Sequence, residues 1–261
     1  MDENPLEQSL RLAASEPAHR PEFCRLLLAS TVFVVGSSDQ PMDGKGTLQA
    51  GAKVKIQNWA KPDGSPFIPF FSSLAALQRA TEKQTNYLAL PAKSLFEITR
   101  GAHLVLNPKS DYGKEFVPAE VGALLSEGVS SLPDKRIIEK PTQVLLGQPK
   151  NYPSAMVTSL VTLFSKHKDV KTAYLALMHD TSIDKDPHLV VGIEAEKNYE
   201  EIVLDAGVVA SSSLPKTEYV DFIRVVPGSA GVCGYMIKNV KPFYQRTWWA
   251  KLKSFLASSQ A

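Results

Sequence analysis

Several side chains in this 261-residue chain are of types that can do chemistry, and their spacing decides what that chemistry would be. Cys233 lies in Gly228-Ser-Ala-Gly-Val-Cys-Gly234, between a strand pattern and a stretch that could open a helix. A thiol at a helix N-terminus is acidified by the positive end of the dipole, and backbone N–H groups in such a corner can hold a phosphate. The glycine spacing matches neither the dinucleotide fingerprint nor the P-loop, no Lys-Ser or Lys-Thr follows, and no base or cationic loop sits beside the cysteine. A tight strand-to-helix corner around a small buried cysteine is the better reading, and Cys24, between Phe23 and Arg25, reads the same way.

His179 and His188 bracket a turn that contains Asp180, Asp184 and Asp186, enough ligands for zinc or calcium, but the spacing follows no known metal loop. Acidic residues in an exposed turn are expected for their turn chemistry alone, so no metal is assigned. There is no G-x-S-x-G elbow, no S-x-x-K with its partners, and no carboxylate pair in an apolar setting that would separate their pKa values. His19 in Glu16-Pro-Ala-His-Arg-Pro21 has the chemistry of a general base, yet a base needs a positioned reacting group and none is in view. Pro17 and Pro21 are expected to fix the chain direction there, with Glu16, His19 and Arg20 hydrogen-bonding the corner. Residues 241–253 interleave aromatic and basic side chains, a pattern that could stack on bases or lie in a lipid interface. Their apolar positions fall at helical spacing and leave Lys251 and Lys253 off the stripe, which predicts docking against the second domain. Failing that, Tyr244, Arg246 and Trp248 form an interaction patch, because these residue types dominate binding hot spots. With no catalytic residues assigned, the candidate binding set is His19, Arg20, Lys114, Glu115, Tyr244, Arg246 and Trp248.

These side chains must be positioned by a mixture of helices and strands. Leu6, Leu10, Ala13 and Ala14 repeat at helical spacing up to Pro17, and Pro21 opens a helix carrying Phe23, Leu26 and Leu27. Thr31 to Val35 reads as a strand and residues 36–51 as a loop. Val54 to Trp59 and Phe67 to Phe71 read as a hairpin about the turn Lys61-Pro-Asp-Gly-Ser-Pro66. Ser72 and Ser73 can cap a helix with Leu74, Leu77 and Ala80. Tyr87 to Leu90 and His103 to Asn107 are strands, Leu95 to Ile98 a short helix, and Pro118 starts a further helix. Residues 128–140 lose apolar periodicity and read as a connector. Beyond it come a helix with Met156, Leu160, Leu163 and Phe164, strands over 171–178 and 188–195, and a helix after Asn198 with a capping box to Glu201. A strand over 219–226 and a last helix with Trp248, Trp249, Leu252, Phe255 and Leu256 complete the pattern.

Composition narrows the function classes. Lys plus Arg number 29 against 27 for Asp plus Glu, so there is no one-sided field for a nucleic acid or a membrane surface. Two cysteines far apart build neither a disulfide framework nor a thiolate cage, which points to the reducing cytoplasm. The polar, acidic N-terminal residues do not resemble a secretory signal, and no apolar run approaches the length that spans a bilayer.

Taken in order, Glu16-Pro-Ala-His-Arg-Pro21, Ile68-Pro-Phe-Phe71, Ser73-Leu-Ala-Ala-Leu-Gln78, Gly113-Lys-Glu-Phe-Val-Pro118, Leu160-Val-Thr-Leu-Phe164, Gly192-Ile-Glu-Ala195 and Pro242-Phe-Tyr-Gln-Arg246 resemble the bacterial enhanced serine sensitivity protein family, SseB. The resemblance covers nearly the whole chain. It implies an N-terminal and a separate C-terminal domain, and together with the patterning above the expected bounds are an N-terminal helix over 1–17, an N-terminal domain over 18–130, a connector over 131–150 and a C-terminal domain over 151–261. The expected class is α+β, each domain a small mixed sheet with helices packed on it. The family name refers to a serine-sensitivity phenotype, and no catalytic residues are carried over. The expectation is a cytoplasmic, non-enzymatic binding or regulatory protein with a protein or small-metabolite partner and no cofactor. The alternative is an enzyme of amino-acid or sulfur metabolism using Cys233 or the polar groups around His19, Lys114 and Glu115.

Overall fold

Two mixed sheets, each carrying its own helices, make up this α+β protein, seen in a computed structural model that describes residues 3–39, 53–81, 84–127, 144–181, 186–215 and 218–246. The chain divides into two compact units, Met1–Ser130 and Ser131–Ala261.

In the first unit α1 (Pro5–Ser15) begins with a capping box. The Asn4 side chain accepts from the Glu7 N–H, and the Glu7 carboxylate accepts from the Asn4 N–H. A 3-10 turn, Pro17–His19, runs without a break into α2 (Arg20–Ala29). β1 (Thr31–Ser38) reaches three residues further than its β-branched run, because Gly36 to Ser38 pair with β2 (Val54–Ile56). The expected hairpin is correspondingly shorter: β3 (Trp59–Ala60) pairs with the start of β4 (Pro66–Phe71), while β2 belongs to β1. α3 (Leu74–Ala80), β5 (Tyr87–Pro91), α4 (Ala92–Ile98) and β6 (Leu104–Leu106) follow, then β7 (Lys114–Phe116) and α5 (Pro118–Glu127). β1 lies between β4 and β5, antiparallel to both, and β6 is parallel to β4 with β7 on its other side.

Strand alternation gives β4 two buried faces. Phe70 meets Phe96 and Phe116 with ring centroids 5.8 and 5.9 Å away, in a core that also holds Leu27, Val34, Leu104 and Leu6 of α1. Phe71 turns the other way, against Ala76, Leu77 and Ala80 of α3. Burying each such ring contributes roughly 1.5–3 kcal/mol.

The second unit has β8 (Val144–Gly147), α6 (Ser154–Lys166), β9 (Val170–Asp180), β10 (His188–Ala195), α7 (Tyr199–Ser211), β11 (Val220–Arg224), α8 (Gly231–Asn239) and β12 (Tyr244–Gln245). β10 is antiparallel to β9 and parallel to β11, and both β8 and β12 pair with β9. Residues 144–147, inside the span expected as a connector, are therefore part of this sheet. Gly192 of β10 is where α8 comes down on the sheet: a Cβ there would collide with Met236 Sδ and lie 2.7 Å from Val225 Cγ2. The capping box expected at Asn198 does not form. Asn198 takes a left-handed conformation (φ 54°) and donates instead to Asp169 Oδ2 at 2.8 Å, so a tertiary partner captures the side chain. The helix expected around Trp248 lies outside the described residues. Among the described residues no helix is long and apolar enough to cross a membrane.

Candidate functional site

β4 and β6 are parallel neighbours whose exits diverge. From β4 the chain goes through α3 to β5, beyond β1; from β6 it goes to β7 on the opposite side. Such a divergence leaves a crevice outside the carboxyl ends of the strands. Here it opens as a cavity of about 340 Å³, with Glu3, Glu7, Arg79, Asn107, Asp111 and Tyr112 among its lining residues.

Its floor is a closed polar network. Ser72 and Ser73 follow β4, and both hydroxyls donate to Glu7 Oε1, at 2.7 and 2.8 Å. Asn107 follows β6, is 3% exposed, and holds a left-handed backbone (φ 50°), a conformation that Asn enters more readily than other residues with a Cβ. Its Oδ1 accepts from the Ser72 N–H at 2.9 Å and its Nδ2 donates to Ser72 Oγ at 2.8 Å, so one amide ties the two strand exits together. Asn4 Nδ2 donates to the Ser72 carbonyl, which brings the start of α1 to the same place. Ser73 also caps α3 by accepting from the Ala76 N–H. Lys109, likewise left-handed (φ 65°), donates to the Ala80 carbonyl, so residues 107–109 clasp α3 at both ends.

Burial works to raise the pKa of Glu7. The Ser72 and Ser73 hydroxyls, the Asn4 N–H and the charge of Arg79 outweigh it and hold the carboxyl below its ordinary value. Glu7 is therefore an anion at neutral pH. Among the described residues the lining contains no histidine or cysteine, and the Ser72 and Ser73 hydroxyls donate to a carboxylate. This arrangement can hold a ligand.

The residues singled out from sequence lie elsewhere. His19 closes the 3-10 turn, and Arg20 Nε donates to the Ala13 carbonyl at 3.4 Å. At that corner the Glu16 carbonyl accepts from the His19 N–H, but Glu16 Oε1 is buried with no hydrogen-bond partner among the described residues. On β7, Lys114 pairs with Glu120 at 2.7 Å and lies over the Phe116 ring. Glu115 points to the other face, where Lys61 at 2.6 Å and His103 at 3.1 Å hold its carboxyl below the usual range. Arg20 and Lys114 do share a neighbourhood, since both act on the Cys24 sulfur; burial nevertheless pushes that thiol up to about 11. None of these four lines the crevice.

In the second unit Tyr244 and Arg246 turn inward. Tyr244 donates to the Phe164 carbonyl, and the Arg246 guanidinium donates to the carbonyls of Phe164, Ser165, His167 and Val170, closing the C-terminal end of α6. Trp248 lies outside the described residues. Cys233, in the first turn of α8, donates to the Arg224 carbonyl at 3.4 Å. His188 pairs with Asp221 at 2.9 Å and stacks on Tyr219, Asp184 is outside the described residues, and among those described no three His, Cys, Asp or Glu side chains are grouped to hold a metal.

Asn4, Glu7, Ser72, Ser73 and Asn107 were not identified as a site from sequence. The available signals were the Asn4-x-x-Glu7 spacing before Leu10 and an Asn directly after a strand.

A family model described as the SseB protein N-terminal domain matches residues 6–123, and one described as the SseB protein C-terminal domain matches residues 138–246. Protein SseB of Escherichia coli (strain K12) and Protein SseB of Shigella flexneri are each 39% identical to the chain over 252 residues, covering 97% of it and 96% of the relative. A solved structure of a sex pheromone staph-cAM373 precursor covers 86% of this chain and 90% of its own at 11% identity, with a TM-score of 0.18 that carries no argument. Matched by both domain models in order, and by relatives along almost its full length, the chain belongs to the SseB family.

Proposed function

We propose that this protein works by binding and not by catalysis, and that the crevice over β4 and β6 holds a small polar metabolite. The observation that carries this reading is the divergence of two parallel strand exits over a network of Glu7, Ser72, Ser73 and Asn107. Ligands of open α/β sheets sit at that topological position. Its volume of about 340 Å³ falls at the lower end of small-molecule sites, roughly 300–1,000 Å³. The serine-sensitivity phenotype in the family name suggests amino-acid metabolism as the source of the ligand and the cytoplasm as the setting.

The test is a titration of ¹⁵N-labelled protein with a library of polar metabolites, followed by NMR. The expected outcome is a saturable set of shifts confined to the amides of Ser72, Ser73, Asn107 and Asp111. A library that moves none of these amides, or a ligand whose shifts surround Cys233 instead, would overturn the reading.

A further inference from the structure

The direction of the hydrogen bonds in the crevice restricts what can enter it. The Ser72 and Ser73 hydroxyl protons point at Glu7, and the Asn107 amide donates back to Ser72. An ionised carboxylate has about four lone-pair positions. Two hydroxyls and the Asn4 N–H occupy three at Glu7, leaving capacity for one more donor. Glu3 is committed to Arg11 at 3.1 Å. Asp111 and Arg79 both line the cavity, and among the described residues neither side chain has a hydrogen bond or ion pair, although the Arg79 charge reaches Glu7. Besides the Ser110 and Tyr112 hydroxyls, the charged groups open to a ligand are two carboxylates that can accept and one guanidinium that can donate.

Resting on the binding reading above, we infer that the ligand is a small zwitterion, its primary ammonium lodged against Glu7 and Asp111 and its anionic group facing Arg79. An ammonium brings three donors to a wall of acceptors, and a carboxylate matches the fork of a guanidinium. A ligand with only an anionic group meets Glu7 and Asp111 without compensation. One with only an ammonium leaves Arg79 unanswered.

Alanine, isopropylamine and isobutyrate share one shape and differ only in which charged groups they carry, so they separate these cases. Each is titrated by NMR into the full chain and into its Glu7→Gln and Arg79→Met variants, with the amides of Ser73, Asn107 and Asp111 as reporters. Alanine is expected to bind at least about tenfold more tightly than either single-charge counterpart, a difference of about 1.4 kcal/mol. Glu7→Gln should remove its advantage over isobutyrate, and Arg79→Met its advantage over isopropylamine. Arg79 is exposed, so that variant keeps the test valid should Glu7→Gln disturb the fold. Equal response to the three probes, or an alanine affinity that neither variant changes, overturns the zwitterion and leaves the crevice a binding site. Shifts there from isobutyrate or a neutral polyol with none from alanine do the same. If no member of the metabolite library moves a crevice amide, the binding reading itself fails.

Discussion

The two units place parallel strands side by side and finish them differently. In the first, β4 and β6 end in Ser72 and Asn107, short side chains that bond to each other and leave a cavity above them. In the second, β10 and β11 end at a place occupied by side chains. The Arg224 guanidinium lies 5.3 Å from the centre of the Tyr199 ring, and Cys233 packs under the Arg224 carbonyl. Burial drives the Tyr199 phenol far above its ordinary pKa. A parallel pair provides two exits at one end of a sheet, and the side chains at those exits differ between the units: short Ser72 and Asn107 in the first, Arg224 over Tyr199 in the second. Polar groups differ too: Glu7, Ser73 and Asn107 of the first unit line a cavity, whereas Arg246 and Tyr244 of the second close the end of a helix.

This contrast is most easily broken at Arg246. Replacing it with Met removes a charged donor from four carbonyls and should destabilise the second unit by about 3 kcal/mol in urea unfolding, while reporters in the first unit keep their midpoint. A loss too small to measure would mean that the guanidinium is not structural. Gly192→Ala tests the packing side of the same unit. Its methyl group would run into Met236 and Val225, and overpacking should cost about 2 kcal/mol, read as an earlier unfolding midpoint. Asn107→Ala crosses to the first unit, where it strands the Ser72 N–H for about 1–2 kcal/mol; crevice binding should fall more sharply than stability does.

The smallest effect is acid sensitivity. The folded pKa of Glu7 lies below the unfolded value of about 4.5, so its contribution is fully present above pH 4.5 and is lost as pH falls through the lowered folded value. Below pH 4.5 the wild type should lose stability more steeply than Glu7→Gln, with hydrogen exchange at the first turn of α1 as the measurement. Parallel curves would show that Glu7 bears no differential charge there.

How far the sequence reveals this molecule depends on the range of the interactions involved. Phe67 to Phe71, Met156 to Phe164 and His188 to Ala195 carry their period within a few residues, and each forms the element that period predicts. β7 and β8 carry no such signal. Lys114-Glu-Phe116 is a strand because β6 offers it a partner, and Val144–Gly147 because β9 does. Asn198 shows the opposite error: its capping pattern is sound locally, but Asp169, distant in sequence, takes the side chain. The crevice is illegible for a related reason. Asn4, Ser72 and Asn107 are unremarkable in their own segments, and only the adjacency of β4 and β6 brings them together. Tyr244 and Arg246 are hot-spot residue types, and composition alone carries no information about which way a side chain turns.

β12 has a consequence for the order in which the molecule is made. The helix end that Arg246 closes is completed about eighty residues earlier in the chain. During synthesis at about 5–20 residues per second, α6 waits several seconds with its last carbonyls open, and the margin of β9 that β12 will cover stays bare. The described strands of the first unit are all made by residue 116 and meet no such delay. A nascent chain stalled between residues 200 and 243 would thus present a folded leading half and a trailing half with an incomplete sheet, the state in which proteases and chaperones would first compete for it.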